Sequence, residues 1–345
     1  MTDKKEKNGK RINKCDYLVN RSLEILSKEG FSGLLKAVKR FLLFHPLRDE
    51  VVYRCYGKIK KEVIKDILDF KMYLDLRDWG ICKDLFFDGI REPESTKIFI
   101  KELSTRKRVN VLDIGANIGY YVLIEAKNIN NGKVYAIEPD PRNFKYLKRN
   151  IELNQCSNIV ETYNMAMGDQ EGTIEFVMDK CFNLSRIRRP MDDENISKGS
   201  IIKVPITTVD SFIESRNIDI NFVRMDVEGY EYFIVKGMKK LLKEDLNLFI
   251  EIHPNFIRSY GGSVNDFFKM LNNYNVKYIV VDELRDELRN VVESSLLRNI
   301  ILSFKGQSLT EKVYKVEEPL KSLLKDAKMR EILYNKSYYR VFLEK

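Results

Sequence analysis

Residues 109–121, VNVLDIGANIGYY, constrain this chain more than any other stretch. A short apolar run ends in Asp113, Gly115 and Gly119 follow, and an amphipathic segment comes next. That order reads as strand, tight turn and helix. Glycine in such a turn lets a ligand approach the backbone, because there is no Cβ to collide with it. The spacing is not G-x-G-x-x-G, which speaks against a dinucleotide site.

The same alternation continues downstream. Val109–Ile114 reads as strand one and Ile118–Asn128 as the first helix. Lys133–Ile137 is strand two. Pro141–Leu153 is the second helix, with Asp140 as N-cap and Pro141 at its first position. Ile159–Met165 is strand three, Asn221–Met225 strand four and Leu248–Ile252 strand five. Glu231–Leu242 is the helix after strand four. Thr173–Val177 and Ile201–Thr207 read as extra strands around a basic insert at 180–200. Val264–Leu271 and Val276–Val281 add a helix and a strand. A long helical tail then leads to YYRVFLEK as a last strand. Strands alternating with helices predict an α/β fold with a mostly parallel sheet.

Upstream, residues 1–75 read as a helical extension whose first 14 residues form a charged, disordered tail, leaving 76–345 as the main domain. Within it, 31–44 (FSGLLKAVKRFLLF) carries an apolar stripe that fits a helix packed on the protein itself. The alternative is peripheral contact with an anionic membrane. No apolar run approaches the roughly 20 residues that a membrane span needs, and the first residues show no signal-peptide pattern. The five cysteines are widely spaced, which predicts reduced thiols in a cytoplasmic protein. The formal net charge of +9 permits an acidic partner without requiring one. No nucleic-acid-binding module stands out.

Open α/β sheets bind ligands at the carboxyl ends of their strands. That rule selects Asp113 and Gly115, Glu138, Met165 and Ala166, Asp226 and Glu228, and Glu251 with His253. An ionised Glu138 at the end of strand two accepts hydrogen bonds from ribose hydroxyls. Paired with Asp113, which suits an amino group, it points to S-adenosylmethionine. Glu231 reads as a capping acid. His253 is a general-base candidate or a structural histidine. Asp226, Glu251 and His253 also have the chemistry of a metal site, but no metal-ligand spacing supports one, and no metal is assigned. In the insert, Arg186, Arg188 and Arg189 form either a clamp for phosphate or carboxylate or a solvated loop.

Taken in order, GIREPES, VLDIGANIGYY, AIEPDPRNFKYLKRNIELN, YNMAMGDQEGTIEF, VPITTVDSF, VRMDVEGYEYFIVKGM and FIEIHP resemble the FkbM family of S-adenosylmethionine-dependent methyltransferases. The likeness covers about residues 85–257. It implies a doubly wound, Rossmann-like, seven-stranded methyltransferase sheet with a final antiparallel strand, for which YYRVFLEK is the candidate. It further implies O-methylation of a hydroxyl on a sugar, glycan or related small molecule. Asp113, Gly115, Asn117 and Gly119 would line the methionine end of the cofactor, Glu138 the ribose, and Met165 and Ala166 the adenine. Glu92 would close over the cofactor, and Asp226 and Glu228 would face the transferred methyl group. Asp226 and His253, supported by Glu228, are then the expected catalytic residues. Arg224 stands where the family more often has Lys. The competing functions are methylation of RNA or protein, and a non-catalytic binding protein that keeps the fold.

Overall fold

Short apolar runs ended by Gly, Pro or Asp set the strands of this protein, and amphipathic segments between them set the helices. A computed structural model describes residues 45–192, 201–282, 311–336 and 338–345. The chain divides into two units, residues 1–59 and 60–345. In the first, the described element is helix α1 (His45–Ile59). The charged residues 1–14 and the whole stripe at 31–44 lie outside the described residues. No described helix is long and apolar enough to cross a membrane.

The second unit opens with an antiparallel hairpin, β1 (Glu62–Ile67) and β2 (Phe70–Asp75), turning at Leu68 with a φ of 53°. This corrects the expected helical extension to residue 75: the division falls at residue 60. The period-two pattern of FKMYLD, with Phe70, Met72 and Leu74 buried, is a strand signal, and the strand-like reading of the piece that starts at Met72 belongs to it.

Helices α2 (Ile81–Asp88) and α3 (Pro93–Ser104) precede the alternating region. There follow β3 (Val111–Ile114), α4 (Tyr120–Asn128), β4 (Val134–Ile137), α5 (Pro141–Leu153) and β5 (Val160–Tyr163). The Asp140 side chain accepts from Arg142 N and caps α5, as its sequence predicts. The chain continues through β6 (Ala166–Gly168), β7 (Gly172–Val177), β8 (Arg186–Ile187) and β9 (Ile201–Thr208). These four form a separate sheet in the order β6-β9-β7-β8. Then come α6 (Val209–Arg216), β10 (Phe222–Met225), α7 (Glu231–Lys236), β11 (Asn247–Ile252), α8 (Pro254–Ser259), α9 (Val264–Met270) and β12 (Asn275–Asp282). The last described elements are β13 (Glu311–Pro319), α10 (Leu320–Leu323), α11 (Ala327–Asn335) and β14 (Tyr339–Glu344).

The main sheet has eight strands in the order β13-β12-β14-β11-β10-β3-β4-β5. Strands β11, β10, β3, β4 and β5 pair in parallel. The expected last strand, β14, runs antiparallel between β11 and β12. The sheet is thus the doubly wound one predicted, with one strand more than seven. The extra strand, β13, lies where a helical tail was expected. Its EKVYKVEEP sequence sets apolar residues among charges, and charge blunts an exposed sheet edge against further pairing.

Successive residues of a strand face opposite sides of a sheet, so each central strand feeds two cores. Leu112 packs with Val223 and Leu248 in one, and Val111 packs with Phe99, Phe222 and Phe342 in the other. The strand order reverses between β3 and β10. That places the crevice at the carboxyl ends of these two strands.

Candidate active site

A pocket of about 830 Å³, counting the open space at its mouth, lies at that crevice. Gly115, Ala116 and Asn117 line it with Glu138 and Asn143. Arg224, Asp226 and Glu228 line it too, as do Met165 and Ala166. The turn after β3 is possible only with glycine: Gly115 has a φ of +88°, and a Cβ there would stand 2.0 Å from the carbonyl oxygen of Asp226.

Backbone amides dominate the first side of this pocket. Asn117 N donates to Glu138 Oε2 at 2.7 Å, and Asp140 N donates to Glu138 Oε1 at 2.8 Å. Asn143 Nδ2 approaches Oε1 at 3.5 Å and donates to the Phe182 carbonyl at 3.2 Å. Burial raises the Glu138 pKa to about 8, with Asp140 adding to the rise and the amide bonds opposing it. A buried carboxyl held by loop amides at the pocket wall fits the hydroxyl-binding role that S-adenosylmethionine requires.

Ion pairs build the other side. Arg224 Nη1 lies 3.1 Å from Asp113 Oδ1 and donates to the Gly115 carbonyl at 3.0 Å, while Nη2 reaches Asp226 Oδ2 at 3.0 Å. One guanidinium therefore ties β3, its turn and the end of β10 together, and it lies over the Tyr121 ring at 4.3 Å. A planar fork with several donors makes these three bonds at once. Burial, with Glu251 adding, raises the Asp226 pKa to about 7. Burial likewise raises Glu228, which sits at a φ of 54°.

His253 follows β11 and is 3% exposed. Its Nδ1 meets Glu231 Oε1 at 2.8 Å, and its Nε2 faces Glu251 at 3.5 Å and Glu228 at 3.8 Å. Burial opposes its charge, but Glu228 and Glu231 outweigh that and push its pKa well above the usual value. Both ring nitrogens thus face carboxylates, an arrangement that fits the structural reading of His253 better than the base reading. His253 positions the acids around it. Glu231 lies in the first turn of α7 and also accepts from Gly229 N at 3.0 Å, but it makes no cap hydrogen bond to the helix.

Arg340 of β14 completes the cluster. It contacts Glu251 Oε2 at 2.8 Å, Glu92 Oε1 at 2.7 Å and Glu311 Oε1 at 3.3 Å. Burial opposes the ionisation of Glu251, yet Arg340 and His253 hold its carboxyl well below the usual range.

Of the residues singled out from sequence, Gly115, Asn117, Glu138, Met165, Ala166, Asp226 and Glu228 share the pocket. Four others are placed differently. Asp113 is fully buried behind the wall, bound to Arg224. Gly119 opens α4 at a φ of 94°, where a Cβ would press on Leu147, so it serves helix packing. The carboxylate of Glu92 is saturated by Arg91, Arg340 and Tyr121, and Arg91 takes its place at the pocket. His253 sits behind Glu228 and Glu251, stacked on Phe256. Ligand-type atoms of Asp226, Glu251 and His253 do lie within 4.8 Å of one another. Sequence reasoning missed Arg91, Asn143 and Arg340. All three lie inside motifs already quoted, GIREPES, EPDPRN and YYRVFLEK, and an Arg in an otherwise apolar strand was the signal for Arg340.

The model of the methyltransferase FkbM domain matches residues 113–278. A hexuronic acid methyltransferase of Haloferax volcanii is 27% identical over 176 residues, 51% of this chain and 66% of that protein. A tRNA(Phe) (4-demethylwyosine(37)-C(7)) aminocarboxypropyltransferase of Methanocaldococcus jannaschii is 32% identical over 105 residues, 30% of this chain and 38% of that protein. The chain thus spans just under two thirds, or less, of the length of these curated relatives. Among solved structures, a precorrin-6y C5,15-methyltransferase of Geobacter metallireducens aligns with a TM-score of 0.36 at 12% identity, covering 74% of this chain and 90% of that one. M. jannaschii TYW2 in complex with AdoMet aligns with a TM-score of 0.35 at 15% identity, covering 83% and 85%. Residues 113–278, just under half of the chain, are thus similar to the FkbM domain of methyltransferases.

Proposed function

We propose that the protein transfers the methyl group of S-adenosylmethionine to a hydroxyl of a sugar, glycan or related small molecule. The observation that carries this reading is one pocket with two unlike walls: amide-held Glu138 on one side, and Asp226 with a pKa of about 7 on the other. The similarity to a hexuronic acid methyltransferase supports a sugar acceptor.

S-adenosylmethionine supplies a methyl group on a sulfonium centre. Glu138 would accept from the ribose hydroxyls, Met165 and Ala166 would flank the adenine, and the Gly115–Asn117 turn would hold the methionine end. Asp113 acts through Arg224, which fixes Asp226. Asp226 takes the proton that the acceptor hydroxyl loses; a base with a pKa near the working pH is the effective one. Glu228 orients the hydroxyl, held in turn by His253 and Glu231. The remaining catalysis is positioning. Four cysteines, Cys55, Cys82, Cys156 and Cys181, are unpaired, which suits the cytoplasm.

The test is incubation with labelled S-adenosylmethionine, with a panel of sugars and glycosides in one arm and bulk RNA in the other. A product 14 mass units heavier in the sugar arm is expected, a methyl replacing one hydrogen (about 14 Da). Label in RNA alone, with RNA affinity falling steeply with salt, overturns the acceptor class.

A further inference from the structure

The insert between β7 and β9 brings three arginines close to the pocket, and their pairing differs. Arg186 is bound to Asp192 at 2.6 Å, and Arg188 to Glu175 at 2.8 Å. Arg189 has no carboxylate partner for its guanidinium among the described residues. Its Nη2 donates to the Glu228 carbonyl at 3.2 Å. Its Nε is buried and makes no hydrogen bond. The guanidinium lies over the Phe256 ring at 4.0 Å, with the Tyr260 ring at 5.5 Å.

That environment is specific. Stacking fixes the plane of a guanidinium while leaving its edge donors free. The same Phe256 ring stacks on His253 at 5.5 Å, and the backbone that Nη2 holds belongs to Glu228, which lines the pocket. Gly229 lets Phe256 come this close: a Cβ on Gly229 would stand 2.3 Å from the Phe256 Cβ, at a φ of +108°. Arg189 also lines an open cavity of about 730 Å³ with Thr173, Ile174 and Pro190, and with Glu175 and Arg188, which pair with each other. A cation with no carboxylate partner among the described residues, held by stacking beside Glu228, suits an anionic oxygen.

We propose that Arg189 is a specificity-determining residue that binds an anionic group, a carboxylate or a phosphate, on the methyl acceptor. This rests on the reading of the pocket given above and narrows its acceptor to acidic sugars.

The test uses protein loaded with S-adenosylhomocysteine and four probes: p-nitrophenyl glucuronide, its methyl ester, p-nitrophenyl glucoside and glucose 6-phosphate. Calorimetry is expected to show at least tenfold tighter binding of the glucuronide or the phosphate than of the neutral probes, and which of the two wins assigns the anion. Arg189→Gln should erase that preference, on the roughly tenfold to hundredfold scale of one charge-assisted hydrogen bond. Its affinity for S-adenosylmethionine should not change. Arg189→Lys, which keeps the charge but not the fork, should restore part of the preference; it also serves if Arg189→Gln does not fold. Equal binding of charged and neutral probes by the unaltered protein overturns the proposal, and so does a preference that survives in Arg189→Gln. Failure to bind S-adenosylmethionine at all would instead strike the reading of the pocket, so the two failures are distinguishable.

Discussion

The two walls of the pocket are built by different physics. On the Glu138 side the contacts are short in sequence: Asn117 N reaches the carboxylate across 21 residues, and Asp140 N across two. On the Asp226 side they are long: Asp113 and Arg224 are 111 residues apart. The first wall depends on backbone amides whose direction the turn fixes. The second depends on side-chain charges that must arrive together from β3, β10, β11 and β14. Amide-built sites are preorganised as soon as the local chain folds. Charge-built sites hold their form only when every partner is present, because an unpaired buried ion is costly.

The largest expected effect is on activity at the charged wall. Asp226→Asn should lower kcat by about 10²–10⁴-fold, the usual loss for a general base, with no change in cofactor affinity. Steady-state kinetics with calorimetry on the same preparation checks this. A loss below tenfold would take the base role away from Asp226.

Next is Arg224→Ala, which strands Asp113 without its cation. Breaking a buried pair by removing one partner costs about 3–5 kcal/mol, measurable by urea unfolding. Arg188→Ala, whose partner Glu175 is on the half-exposed rim, should cost only about 0.2–1 kcal/mol. If the two variants prove equally stable, the contrast between buried and peripheral ion pairs fails.

A third prediction concerns pH. The folded pKa of Glu138 is raised to about 8, from an unfolded value near 4.3. The unfolded chain therefore loses this proton first, and the ligand-free protein loses stability as pH rises from about 4.3 to 8. The slope approaches about 1.4 kcal/mol per pH unit for one such group. Asp226 acts in the same direction up to about pH 7. His253, also raised, contributes stability that is full below about pH 6.5 and lost as pH climbs through its folded pKa. Glu138→Gln should flatten the decline relative to the unaltered protein between pH 5 and 8. Parallel stability curves would show that Glu138 ionises normally in the fold.

The same division explains what the sequence made legible. The strand, turn and helix at 109–121 and the Asp140 cap were readable because each is a local pattern of the chain. The β14 strand was readable from its apolar pattern. The hairpin at 62–75 was missed because its two short strands sit beside helix-forming residues. Edge strand β13 was missed because charges dilute its alternation. The surroundings of Glu92 and His253 were not readable, for one reason. Their roles depend on Arg340 and Glu231, which no local pattern connects to them. Carboxylates at strand ends look alike in sequence, and only the partner decides which one is tied up and which one faces the pocket.

The central claim is that the two walls divide the work, and titration of S-adenosylmethionine into the unaltered protein, Glu138→Ala and Asp226→Asn tests it most directly. Above pH 8, where Glu138 is ionised, Glu138→Ala should bind roughly tenfold to hundredfold more weakly, the scale of a hydrogen bond to a charged acceptor. Asp226→Asn should bind within about twofold of the unaltered protein, since only the acceptor wall has changed. Unchanged affinity in Glu138→Ala, or a loss in Asp226→Asn as large as that expected for Glu138→Ala, would contradict the account.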